Sequence, residues 1–75
     1  MTNEEKEKIR FYNQCQKLLT SIISHRKYES FSHTLSSLEY GVLNSVGNAK
    51  SYEGLPNFDV VGMLQKIKQR MLSYN

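Results

Sequence analysis

Apolar residues recur along this chain at three- and four-residue intervals in three separate stretches, and that spacing is the strongest constraint on its fold. Between about residues 3 and 25, Phe11, Cys15, Leu18 and Ile22 fall at i, i+4, i+7 and i+11, one face of a helix. A second stretch, about 32–47, places Leu35, Leu38, Val42 and Val46 on one side. A third, about 57–73, carries Val60, Leu64, Ile67 and Met71. Apolar-polar alternation does not persist anywhere, so strands are not expected. The expected class is all-α: one domain over residues 1–75, a small bundle of three helices.

Punctuation between the stretches is sparse. Gly47-Asn48 reads as a helix stop, because both residues tolerate φ > 0. The only proline, Pro56, sits in "YEGLPNFD", a loop leading into a helix that Asn57 can cap and whose positive end Asp59 favours. Ser36 and Glu39 have capping-box spacing, which offers the second helix an alternative start one turn later.

At 75 residues the chain buries only about 60% of the surface exposed by its unfolded form, so a lone core is marginal. Small domains usually add a disulfide, a metal or a partner. The single cysteine, Cys15, excludes an intrachain disulfide, and no cysteine-histidine cluster has metal spacing. A partner is the remaining route.

Two helices carry features that fit this expectation. On the first, Ile9, Tyr12, Leu19 and Ile23 form a second apolar group about 100° round from the main stripe. Together the groups cover about half the circumference, wider than the ~100° that serves a surface helix. Either the first helix lies centrally between the other two, or another chain covers the excess face, since exposed apolar patches tend to mark interfaces. On the second helix, Ser37, Gly41 and Ser45 make a strip of small residues, and a glycine there costs about 1 kcal/mol against alanine unless a close backbone approach compensates. Beside it, Tyr40 and Leu43 point away from the stripe, which suits a contact surface. Tyr12, Leu19, Ile23, Tyr40 and Leu43 are therefore the expected partner-binding residues.

Catalytic constellations are lacking. His25 and His33 are separated by an expected helix break and offer no fixed ligand geometry. Asp59 reads as a helix-end charge, and Cys15 lies on the apolar stripe, where a buried, inert thiol is expected. Lys17, the nearest cation in sequence, is turned about 200° away from Cys15. The four glycines are scattered and form no phosphate loop. No enzyme activity, cofactor or metal is expected.

The net charge is +3, from ten basic and seven acidic side chains. In "MLQKIKQRMLSYN", Lys66 and Arg70 flank the apolar stripe on one side and Lys68 on the other, bordering a seam rather than forming a face. With Arg26 and Lys27 they make up the nucleic-acid surface of an alternative reading. Groove-reading helices offer several polar and basic side chains on one exposed face, so protein packing is favoured here. "MTNEEKEKIR" has no apolar signal region, and no stretch approaches the roughly 20 apolar residues that span a bilayer. With an unpaired thiol, these features lead to the expectation of a cytoplasmic protein.

In size and helical endings the chain resembles the short immunity proteins of bacteriocin systems, and in the same way small secretion chaperones and phage-encoded inhibitors. The likeness is architectural and carries over no residue. The leading expectation is a non-enzymatic helical protein that binds another protein as regulator, inhibitor, immunity or assembly partner. The alternatives are a small nucleic-acid-binding regulator and an obligate homo-oligomer.

Overall fold

The computed structural model describes residues 2–74 and is all-α. Four helices follow one another: α1 over Asn3–Ile23, α2 over Tyr28–Ser32, α3 over Ser37–Asn48 and α4 over Val60–Leu72. A 3₁₀ turn, Tyr52–Gly54, interrupts the loop before α4. The three longer helices match the three apolar stretches. α2 is an addition, a single turn in what the sequence presents as a break.

Side-chain hydrogen bonds give the directions. Tyr12 and Gln16, in the middle of α1, donate to the carbonyls of Ala49 and Val46 at the end of α3 (3.2 and 2.8 Å). Lys27, just past α1, donates to the carbonyl of Tyr74, just past α4 (3.0 Å). Arg70 near the end of α4 pairs with Glu39 near the start of α3. So α1 and α4 run the same way and α3 runs against both. One end of the molecule, here the upper end, holds the C-termini of α1 and α4, α2 and the start of α3.

Helix boundaries follow capping chemistry. Thr2 caps α1 by accepting from the Glu5 amide at 3.1 Å. Ser36 and Glu39 form a complete capping box, so α3 begins at the later of the two starts. Asp59 rather than Asn57 caps α4, accepting from the Gly62 amide at 3.0 Å. α1 ends at Ile23, two residues short of the expected His25, where the Ser24 hydroxyl turns back onto the Thr20 carbonyl. α3 ends without a left-handed residue, since no described residue has positive φ; Gly47 stays helical and Ala49 leaves in an extended conformation.

The late start of α3 changes which side faces inward. Leu35 precedes the helix and reaches the core from the connection, so it no longer helps set the helical stripe. The inward face centres on Val42, Val46 and Leu43, and Leu38 is turned out to 63% exposure. Phe31 of α2 fills the space above, fully buried, with the Tyr74 ring edge-on at 5.7 Å and the Arg70 guanidinium over its face at 5.5 Å.

Most of the wide arc of α1 is accounted for within the chain, with Ile23 at its upper end left 50% exposed. One flank, with Tyr12, Gln16 and Leu19, meets α3; the other, with Phe11 and Leu18, lies toward α4 and the loop before it. At Gly47 a Cβ would stand 3.6 Å from Leu19, ordinary contact distance, which shows how closely α3 covers that flank. The central position of α1 is thus the reason for its width.

Candidate functional site

Two of the five expected partner-binding residues are core residues. Leu19 is 6% exposed and Leu43 5%, and both belong to the main hydrophobic cluster. Leu43 is corrected from outward to inward by the rotation of α3, and Leu19 by the cover that α3 gives α1. Tyr12 is half-buried and its hydroxyl is tied to Ala49. Tyr40 is exposed, but its hydroxyl is tied to the Ser32 carbonyl. Ile23 is half exposed at the upper end of α1. The five do not share a surface. The strip Ser37, Gly41 and Ser45 receives no close backbone either: no neighbouring atom comes within 4 Å of where a Gly41 Cβ would sit.

The five expected nucleic-acid contacts also divide. Lys66 and Arg70 are on the α3 side of α4 and Lys68 on the α1 side. Arg70 is engaged with Glu39 and Phe31, and Lys27 with Tyr74. Arg26 and Lys66 are exposed. The Arg70 hydrogen bond holds the Glu39 carboxyl below the usual carboxylate range, with the Ser36 cap acting in the same direction. Arg70 and Lys27 thus tie the upper ends of the helices together.

Burial pushes the Cys15 thiol up from its ordinary value, which disfavours the thiolate. Among the described residues no group of three His, Cys, Asp or Glu side chains is placed to hold a metal ion, and no helix is long and apolar enough to cross a membrane. His25 accepts a hydrogen bond from the Lys27 amide through Nδ1 at 3.1 Å and so shapes the turn after α1.

One depression lies where Lys8 and Phe11 of α1 meet Tyr52, Leu55 and Pro56 of the loop. A more open surface, the cationic one, runs along the outer side of α1 and its border with α4. Arg10, Asn13, Gln14 and Lys17 line one shallow depression of about 470 Å³. Gln14 and Lys17 continue into a second, of about 280 Å³, with Leu18, Ser21 and Lys68. The two share walls and make one groove running from Arg10 to Ser21, about 16 Å along the helix at 1.5 Å per residue. Three cations line it and no carboxylate does. Its floor toward α4 is Leu18, half-buried, and one turn beyond Lys68 on the same side of α4 stands Leu72, 55% exposed.

Arg10, Gln14 and Lys17 were not among the expected site residues. Their signal in the sequence is an acid-free sector: Lys6, Arg10, Asn13, Gln14, Lys17 and Ser21 occupy about 100° of α1 opposite its apolar face. Lys68 joins them only because α4 packs beside that sector. The chain matches no family model, no curated protein and no solved structure.

Proposed function

We propose that this protein is non-enzymatic and acts by binding another protein, as a regulator, inhibitor or assembly partner. The observation that supports this reading is the cationic surface along α1 and its border with α4, where Leu18 forms part of the wall and the half-exposed Leu72 stands one turn beyond Lys68. A solvated helix face has no need of apolar side chains beside its charges, whereas protein interfaces pair an apolar centre with a polar rim. Self-association has less to draw on, because Leu19 and Tyr12 of the wide arc are engaged with α3 and the residues just past it, leaving Ile23 half exposed.

The test is photo-crosslinking in a lysate of the source organism. Photoreactive residues are placed singly at Asn13 and Ser21 in the groove, and at Ser45 and Glu53 away from it. A discrete protein adduct, competed by unlabelled protein, is the expected result. A chain that crosslinks to no protein from any position, or that binds random duplex DNA with an affinity falling steeply in salt, refutes the reading.

A further inference from the structure

The net charge of +3 conceals a division that the topology creates. The lower half carries Lys6, Lys8, Arg10 and Lys50 against five acidic side chains, Glu4, Glu5, Glu7, Glu53 and Asp59, a local sum of −1. The upper half carries the other six cations against only Glu29 and Glu39, a local sum of +4. The molecule is 44 Å long, several times the screening length of about 8 Å at physiological salt. A partner therefore meets the charge of one region and not the average of the whole. The groove opens on the upper half and reaches down to Arg10.

We infer that this groove docks an acidic amphipathic helix of another protein, with carboxylates toward Arg10, Lys17 and Lys68 and aliphatic side chains over Leu18 and Leu72; the inference rests on the protein-binding reading above and names the partner's chemistry. Three features select that occupant. The cations recur at Arg10 and Lys17, seven residues apart on α1, and a helix lying alongside repeats its own side chains at the same interval. The groove's length of about 16 Å takes three turns of such a helix. Leu72, 55% exposed one turn above Lys68, weighs against a phosphate backbone, which would engage the cations and leave that side chain in water. A second copy of this chain is a poor fit, because the acids of α1, Glu4, Glu5 and Glu7, are crowded into one turn and not spaced along a face.

The probe is a fluorescein-labelled helical peptide of about four turns, with glutamates on one edge and leucines on the other, titrated with the full chain by anisotropy. Saturable binding is expected, weakened about tenfold or more by the pair Lys17→Glu and Lys68→Glu. A peptide with lysines in place of its glutamates should bind that variant better than the wild type. Leu72→Ser, or serines in place of the peptide's leucines, should weaken binding several-fold. The pair Arg26→Glu and Lys66→Glu makes the same change in net charge outside the groove and should leave binding within about twofold. Far-UV circular dichroism confirms that each variant is folded. The inference is overturned if the peptide does not bind, if both charge-reversed pairs lose affinity equally, if removing the leucines has no effect, or if random duplex DNA or phosphatidylglycerol vesicles displace the peptide. Crosslinks to a protein from Ser45 or Glu53 alone would overturn the groove while leaving the protein-binding function standing.

Discussion

Glu39 joins two elements through its two carboxylate oxygens, and replacing it separates their contributions. Oε1 accepts from the Ser36 amide at 2.9 Å, one half of the box that starts α3, and Oε2 receives Arg70 from α4. Capping interactions are typically worth about 1 kcal/mol. The ion pair, with the Arg70 side chain 48% exposed and that of Glu39 15%, belongs to the partly screened class worth about 0.5–1 kcal/mol. Glu39→Ala loses both and is expected to cost about 1.5–2 kcal/mol. Glu39→Gln keeps the box, since glutamine serves at that position, and loses only the ion pair, about 0.5–1 kcal/mol. Urea unfolding followed by circular dichroism measures both, and in a domain of this size each kcal/mol also moves the melting temperature by roughly 4–8 °C. A double-mutant cycle of Glu39→Gln with Arg70→Met should return a coupling of about 0.5–1 kcal/mol at neutral pH. The folded-state pKa of Glu39 is lowered, so its contribution is complete above the unfolded value of about 4.3 and is lost as pH falls through the folded one. The coupling should therefore vanish in acid. Equal costs for the alanine and glutamine variants, or a coupling unchanged in acid, would refute the assignment of the two oxygens to separate tasks.

Further outcomes follow from burial and backbone. Ile67, 1% exposed in the middle of α4, should cost about 2–5 kcal/mol when truncated to alanine, read by the same urea assay. Gly41→Ala enters open space on an exposed helix and should stabilise by up to about 1 kcal/mol. Gly62→Ala should fall about 1 kcal/mol short of it, because the new Cβ displaces the Asp59 carboxylate that caps α4. Cys15 is fully buried with its thiol pKa raised, so a thiol reagent should label it slowly in the native protein and quickly in denaturant; fast native labelling would contradict its place in the core.

Local rules were enough for much of this molecule. The 3.6-residue period of Cys15 and Ile22, of Val42 and Val46, and of Val60, Leu64, Ile67 and Met71 selected helices and named most of the core, because a side chain's position around a helix follows from its number alone. Ser36 and Glu39 carried the true start of α3, since a capping box is closed between residues three apart. Tertiary packing decided the rest. Leu38 and Leu43 differ by about 140° around α3, and only the placement of α3 against α1 and α4 determines which of them is covered. Leu19 and Tyr12 formed a face that a neighbour had to cover, and periodicity cannot tell whether that neighbour lies in the same chain. Lys17 and Lys68 are 51 positions apart in the sequence and line one groove because α1 and α4 run side by side in the same direction. A count of charges returns +3 whatever the fold; only the path of the backbone sorts them into a cationic end and a nearly neutral one.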